Sequence, residues 1–490
     1  MISTVEIKQG RTIEDYESYA TLYWAVKEFK TETSYLVPNL KGRKVWMINS
    51  TETGGGVAEM MPRMISILRQ TGVDADWVVM GTDKMPFFTL TKKIHNNIHG
   101  AGDPKFTEAD RQVYEAVNDE NAEEFVQMIS PEDVVVIHDP QPMGMAKILK
   151  QKKGVKTIWR CHIGLDQETE ETRAAWKFLD PYFKHYDHSV FSAPEYIPRD
   201  LTGRVSIIHP AIDPLTPKSR ELSFHRVTGI LSNADLMPAF HPTTTIPFVA
   251  QAKRLQPDGT FASPKNPEDI GLIFRPVITQ VSRWDRLKGF FPLIEGFFLM
   301  KKEADRLSKG QAKVKRPIIM SRLVLAGPDP ESVKDDPEGI EVLNELIAFY
   351  QGLPKEIQGD IALLVLPMES RAENALIVNA IQRCSTVVVQ NSLQEGFGLT
   401  ATEAMFKSKP LLTSHACGLR QQVRDQIDGR MIQNPSDPEE IATLLTEMLA
   451  DQQRRDVWSS NAQRRAIDNF LVFSQISKWI KVIDETIKQK

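Results

Sequence analysis

Cysteine is scarce in this chain: Cys161, Cys384 and Cys417 stand far apart among 490 residues, with no CxxC pair. A zinc ribbon and a disulfide framework are both excluded by that pattern. Long apolar runs are missing as well. Residues 290–300 (FFPLIEGFFLM) are among the most apolar, yet they are short and broken by Glu295. A membrane span needs about 20 apolar residues. The opening MISTVEIKQG has no apolar core of the signal-peptide kind. Neither charge predominates: 60 Lys+Arg face 64 Asp+Glu, for a formal net charge of −4. Without a basic field, nucleic acid and anionic membranes are not expected partners. The chain is expected to be cytoplasmic, and an anionic ligand would have to be met by a few local cations.

What remains is a globular composition, 41% hydrophobic and 25% charged, on a chain long enough for two or three domains. Lys44–Asn49 (KVWMIN) reads as a strand and runs into Gly54-Gly55-Gly56. Val57, Met60, Met61, Met64, Ile65 and Leu68 then form a helical face, and 76–80 (DWVVM) returns as a strand. Pro62 is tolerable if that helix begins near Ala58. Strand, glycine turn, helix, strand opens a parallel α/β sheet. The alternation continues to residue 212, lapses in a Pro- and Thr-rich stretch at 220–272, and resumes from 276. The reading is an N-terminal Rossmann-like domain at 1–212, a linker and insertion at 213–275, and a second Rossmann-like domain at 276–470. A C-terminal helix at 471–490 would pack back on the first domain. The 220–272 stretch reads as a mobile loop, a lid or a partner surface.

The sharpest motif follows the strand TVVVQNS. It is Glu395-Gly396-Phe397-Gly398-Leu399-Thr400 leading into a helix with Glu403. Glycines at a helix start let backbone N–H groups reach a phosphate, aided by the positive end of the helix dipole. The carboxylates spaced E-x7-E could accept hydrogen bonds from hydroxyls. For Glu403 the competing reading is a capping box with Thr400. A second motif, Arg283-x4-Lys288-Gly289, ends a strand, with Phe291, Ile294 and Phe297 on the buried side of the next helix. A guanidinium and an ammonium there could neutralise a diphosphate without a metal; a pair of solvated surface cations is the alternative.

Together, SRWDRLKG and EGFGLTATEAM resemble the retaining, GT-B-fold nucleotide-sugar glycosyltransferases of family 4. VWMINSTETGGGVAEM, FFTLTKKIHNNIHG, HDPQP, WRCHIGLD and SAPEY are similar to the trehalose synthases, which join a nucleotide-activated glucose to free glucose. The resemblance implies a GT-B fold, two Rossmann-like parallel-sheet domains facing across a cleft. It implies that Glu395, Arg283, Lys288 and His162 are catalytic: the two cations hold the diphosphate, Glu395 binds donor-sugar hydroxyls, and His162 lies near the donor sugar. Glu403 would bind the ribose. Gly396, Phe397, Gly398, Leu399, Thr400, Gly54, Gly55 and Gly56 would also contact the donor, with Asp139 and Arg160 contacting the acceptor. The implied partners are a nucleotide-sugar (UDP-, ADP- or GDP-glucose) and a small sugar, with no cofactor and no required metal; a homodimer is compatible. Retention in this family is described as front-face attack, the departing phosphate oxygen taking the acceptor's proton.

Departures stand beside the match: Gly418-Leu419 and 425–429 replace the usual glycine pair and DGxTG-like turn, and 220–272 and 302–350 are long. A nicotinamide dehydrogenase is disfavoured, because Glu59 occupies the third glycine's place in a GxGxxG. Asp74-Ala-Asp76 precedes a strand and reads as a turn, not a metal site. Relatives using fructose, glycerate, a lipid or a sugar phosphate as acceptor stay open, as does a non-catalytic sugar-nucleotide sensor.

Overall fold

The computed structural model describes residues 2–8, 10–53, 55–238, 248–264, 266–306, 312–332 and 337–489. The chain divides into two compact units, Met1–Pro210 with Leu471–Lys490, and Ala211–Phe470. Each is built on one parallel-dominated sheet.

In the first unit the strands are β1 (Ser3–Thr4), β2 (Lys44–Asn49), β3 (Asp74–Val79), β4 (Val134–His138), β5 (Lys156–Cys161), β6 (His188–Phe191) and β7 (Arg204–Ile207). Their spatial order is β1-β3-β2-β4-β5-β6-β7, all parallel except β1. The central strand β4 and its neighbour-but-one β6 are buried along their whole length, as strands covered by helices on both faces must be. The chain leaves β2 toward β3 on one side and resumes at β4 on the other. The crevice at the carboxyl ends of β2 and β4 is therefore a topological switch point, where open α/β sheets bind ligands.

The helix after β2 spans Gly55–Gln70 and so starts three residues before the expected Ala58. Pro62 accordingly lies inside it, where it can donate no bond to the carbonyl of Ala58. The C-terminal helix Val472–Ile487 is amphipathic and belongs to this unit. Phe473 meets the rings of Tyr16 and Phe29 at 5.0 and 5.3 Å, and Asn39 Nδ2 donates to Asp484 Oδ1 at 2.9 Å.

The second unit adds β8 (Lys253–Leu255), β9 (Phe261–Ala262), β10 (Val277–Val281), β11 (Arg322–Pro328), β12 (Ile361–Leu366), β13 (Val387–Gln390), β14 (Leu411–Ser414) and β15 (Gly429–Ile432). Their order is β15-β14-β13-β10-β11-β12-β8-β9, with β8 and β9 antiparallel at one edge. Residues 253–262, within the stretch read as an excursion, thus extend the sheet. Val227, Ile230 and Leu231 of the helix Phe224–Asn233 join the buried cluster on one sheet face. Residues 239–247 and 265 of that stretch lie outside the described residues. On the other face the buried ridge of the helix after β10 is Phe290, Leu293, Ile294 and Phe297; Phe291, expected there, is only partly buried. The switch point here falls between β10 and β13.

Candidate active site

Both strands at the second unit's switch point end in a sequence motif. β10 runs into 282–289 and β13 into 391–398, and hydrogen bonds through Gln280, Asn391 and Leu393 tie these loops together. Gln280 Nε2 donates to the Lys288 carbonyl at 2.7 Å, Asn391 N–H to Gln280 Oε1 at 2.9 Å, and Leu393 N–H to the Leu287 carbonyl at 2.7 Å. Gly289, at φ 61°, permits the approach: a Cβ there would lie 2.1 Å from the Asn391 carbonyl oxygen. As a result Lys288 Nζ sits 2.8 Å from Glu395 Oε2, with both side chains about 15% exposed (14% and 15%). The same oxygen accepts from Ser392 Oγ at 3.0 Å. Arg283 is placed nearby in sequence but stands out to solvent, its side chain 60% exposed, with Asp285 at 3.8 Å. Arg286 is engaged by Glu345 through two 2.6 Å bonds.

The loop 395–398 is held from below by Gly418, which the sequence showed only as a departure from the usual glycine pair, and by Gln422, which the motif reading did not single out. Gly418 N–H donates to the Glu395 carbonyl at 3.0 Å. Gln422 Nε2 donates to the carbonyls of Phe397, Gly398 and Gly418. Gly398 adopts φ 84° and caps the helix Leu399–Phe406. Its first N–H groups have no intrahelical partner, which leaves Leu399 and Thr400 at a seat for an anion.

Because the cap is Gly398, Glu403 is not the third residue of a capping box; no side chain caps this helix. Instead Glu403 is 4% exposed, Lys218 Nζ lies 3.1 Å from its Oε1, and its buried Oε2 has no hydrogen-bond partner among the described residues. Asn379 Nδ2 donates to the carbonyls of Pro217 and Arg220 at 2.9 Å each, fixing the segment that carries Lys218. Lys407 is buried beside them, donates to Gln382 Oε1, and is pushed down to about 7 by burial, with the charge of Glu403 opposing. An unfilled carboxylate oxygen in such a place can accept a ligand hydroxyl.

The first unit carries the other sequence-flagged groups at its own switch point. Gly54 lies outside the described residues. Gly55 and Gly56 begin the helix after β2, and a Cβ on Gly56 would meet no atom within 4 Å. Asp139, just past β4, adopts φ 64°; its N–H donates to the Arg160 carbonyl at 2.7 Å, and its Oδ1 accepts the His162 N–H at 2.8 Å. Burial raises Asp139 to about 6, with the His162 N–H and Arg160 opposing. Arg160 is 1% exposed, lowered to about 10 by burial, and donates from Nη2 to Ser192 Oγ at 3.0 Å. His162 is half-buried, and its Nε2 lies 2.9 Å from His138 Nδ1.

Beside these groups is a cavity of about 360 Å³ that the motif reading did not delimit. Its lining comes from the carboxyl ends of three adjacent strands: Ser50 and Thr51 after β2, Gly81 after β3 and Gln141 after β4. Phe88, Lys92 and His95 close it from the helix Met85–Ile98. Burial and the neighbouring His99 push His95 down to about 4, so it is neutral near pH 7. Arg63 is turned elsewhere, donating to the Arg11 carbonyl at 2.8 Å with its guanidinium 4.8 Å from the Tyr16 ring centre. A larger cavity of about 670 Å³ lies between the helix Glu170–Phe183 and residues 195–201; Leu165 and Asp166 of WRCHIGLD and Glu195 and Tyr196 of SAPEY line it, but none of the residues given a catalytic or binding role from the sequence does. Among the described residues no group of three His, Cys, Asp or Glu is arranged to hold a metal ion, and no helix is long and apolar enough to cross a membrane. Asp74 and Asp76 begin β3, within reach of Lys44 at 4.0 and 2.5 Å.

Residues 47–198 match the family model "Trehalose synthase, N-terminal domain", and residues 370–465 match "Glycosyl transferases group 1". The chain is 31% identical over 481 residues to the trehalose synthase of Thermococcus litoralis, covering 97% of each. It is 31% identical over 419 residues to that of Rubrobacter xylanophilus, covering 84% of this chain and 83% of the relative. In structure it is similar to an α,α-trehalose-phosphate synthase (UDP-forming) from Burkholderia xenovorans in complex with glucose 6-phosphate, at a TM-score of 0.57 and 14% identity, covering 91% of this chain and 100% of that one. That likeness shows the fold alone, the two-sheet GT-B architecture. With a match in sequence along nearly its whole length, the chain belongs to the trehalose synthase family and is a glycosyltransferase of trehalose metabolism.

Proposed function

We propose that this protein is a retaining glycosyltransferase of family 4 that moves glucose from a nucleotide-glucose to free glucose, forming trehalose. The observation that carries the reading is the convergence of Lys288, Glu395 and the Leu399–Thr400 helix start on one loop pair at the second unit's switch point. Breaking the anomeric C–O bond loads negative charge onto the diphosphate. Lys288, the exposed Arg283 and the helix start supply positive charge where it develops, an electrostatic contribution that is commonly the largest in such sites. Glu395 has a second oxygen for a donor-sugar hydroxyl, and Glu403 Oε2, buried and without a hydrogen-bond partner among the described residues, would accept from the ribose. The departing phosphate oxygen takes the acceptor's proton, so no protein base and no metal is called for.

Free glucose as acceptor is supported by the cavity of about 360 Å³ at the first unit's switch point, which has room for a hexose. Gly55, Gly56 and Asp139 border that switch point, and Arg160 fixes the backbone of Asp139 from beneath. Among the described residues Lys92 is the one cation lining the cavity, since His95 is neutral and Arg63 is engaged elsewhere. A phosphate on the acceptor would be better served by a guanidinium fork. Lys92 nonetheless favours glucose 6-phosphate as the second reading.

The test is a donor-by-acceptor panel on purified protein with chelator present. UDP-, ADP- and GDP-glucose are each offered with glucose, glucose 6-phosphate, fructose and glycerate, and products are read by NMR. An α,α-linked non-reducing diglucoside, lost in Glu395→Ala, is the expected product. Transfer to glucose 6-phosphate alone would replace the first reading with the second. Nucleotide binding with no transfer would leave a sugar-nucleotide sensor.

A further inference from the structure

We infer that His138 is a positioning residue that fixes the tautomer of His162, so that His162 meets the donor sugar as a hydrogen-bond acceptor and never as a donor. The second clause rests on the proposed function and on the placement of His162 near the donor sugar that the sequence resemblance implies.

Parallel register places His138, the last residue of β4, opposite Arg160 on β5, so its ring reaches the residue just past the end of β5. The two imidazoles lie nearly parallel, 15° apart with centroids at 5.3 Å, and His138 Nδ1 is 2.9 Å from His162 Nε2. One proton lies between these two nitrogens, and the question is which ring carries it. The other nitrogen of His138 decides. Nε2 faces Met47 Sδ at 3.4 Å, and His138 is 0% exposed, so water cannot serve it. A thioether has lone pairs and no proton to give. With Nε2 protonated, an N–H···S bond forms. Left bare, Nε2 would set its lone pair against those of sulfur. His138 therefore carries its proton on Nε2, its Nδ1 accepts, and His162 must donate from Nε2.

Both rings are neutral near pH 7, so no second proton relaxes this choice. Burial and the Arg160 guanidinium push His138 down to about 3 and hold His162 well below the usual histidine range. The rest of His162 is fixed too, its N–H on Asp139 Oδ1 at 2.8 Å and its carbonyl accepting from Ser192 Oγ at 3.2 Å. What His162 then offers a ligand is a bare Nδ1. It can take the proton of a sugar hydroxyl and has none to give.

This arrangement makes a distinction that a merely structural histidine pair would not. Fluorine in place of the contacted hydroxyl removes the proton but leaves an acceptor, whereas hydrogen removes both. If His162 accepts, the deoxyfluoro and deoxy donors bind equally poorly at that position, each weakened by about tenfold, the worth of one hydrogen bond. If it donates, the fluoro donor binds nearly as well as the parent. Dissociation constants are the readout, by calorimetry over a panel of deoxy and deoxyfluoro nucleotide-glucose analogues, because fluorine also alters the transfer rate electronically. The penalty at the contacted position must vanish in His162→Ala.

The tautomer itself is read without any substrate, from ¹⁵N shifts of histidine-labelled whole protein assigned with His138→Asn and His162→Ala. The expected result is a protonated Nε2 and a bare Nδ1 on His162. His138→Asn, whose amide oxygen can replace the accepting Nδ1, keeps that state; His138→Leu loses it. Should His138→Leu not fold, Met47→Leu removes the sulfur acceptor, and a second His162 tautomer should appear. A His162 protonated at Nδ1 in the wild type overturns the inference. The expected tautomer with no His162-dependent penalty at any sugar position supports the role of His138 and overturns only the donor contact.

Discussion

Gly418 gives the sharpest test of how the second unit holds its loop. A Cβ built on it would lie 2.3 Å from Phe397 Cα, 2.5 Å from Phe397 N and 2.6 Å from the Gly396 carbonyl oxygen. All three are backbone atoms, so no side chain can swing aside. Ordinary carbon contacts are about 3.5–4.0 Å, and Gly418→Ala must therefore push residues 395–398 away by roughly 1 Å. Overpacking of this kind costs about 1–3 kcal/mol of stability. The same shift pulls the Glu395 carbonyl off the Gly418 N–H and breaks the fan of bonds from Gln422. A misplacement of about 1 Å at reacting groups costs on the order of 10²-fold in rate. The assay is kcat/KM for the donor together with the urea midpoint, with Gly359→Ala as control, since a Cβ there meets no atom within 4 Å. Gly418→Ala is expected to lose about two orders of magnitude while the control stays at wild type. Wild-type kcat/KM in Gly418→Ala would refute the account of a rigid loop.

Three further outcomes are expected. Lys288→Met leaves Glu395, 15% exposed, with Ser392 as its remaining side-chain partner among the described residues, and should lower kcat by about 10²–10³-fold, measured at saturating donor. Glu403→Gln swaps an accepting oxygen for an amide beside buried Lys407, and should weaken nucleoside diphosphate binding by about tenfold, read by calorimetry, with the acceptor KM unchanged. Stability should also fall on acidification. The folded pKa of His138, about 3, lies below the ordinary 6.5, so the unfolded chain binds the extra proton and stability present above pH 6.5 is lost as pH drops toward 3. Between pH 7 and 5 this amounts to about 2 kcal/mol, with His162 acting in the same direction. Asp139, raised to about 6, opposes it by about 1 kcal/mol over that interval, because its buried carboxyl gains a proton before the unfolded one does. Urea midpoints at pH 7 and 5 check this, and the drop should shrink in His138→Asn.

Much of the architecture is legible along the chain because its signals are local. A strand buried on both faces needs a short apolar run such as IALLVL at 361–366, and a helix start that can approach an anion closely needs glycine, as at the cap Gly398. Local signals also misled. Thr400 and Glu403 have the spacing of a capping box, but the cap is two residues earlier, at Gly398. Pro62 argued for a shorter helix than the one that forms. Residues 253–262 lack periodicity because a two- or three-residue edge strand is too short to show any.

Residue types and spacing by themselves determined two α/β units, the loops proposed to carry the chemistry, and the candidates Arg283, Lys288, Glu395 and Glu403. Which groups meet was decided by strand order. The reversal between β10 and β13 brings Lys288 to Glu395 across 107 residues, and the reversal between β2 and β4 gathers the cavity lining from three loops. Lys218 against Glu403, Gln422 beneath Phe397, and His138 beside His162 carry no mark in the sequence. A hydrogen bond between distant residues leaves no local pattern; it exists only once the sheet has set its register.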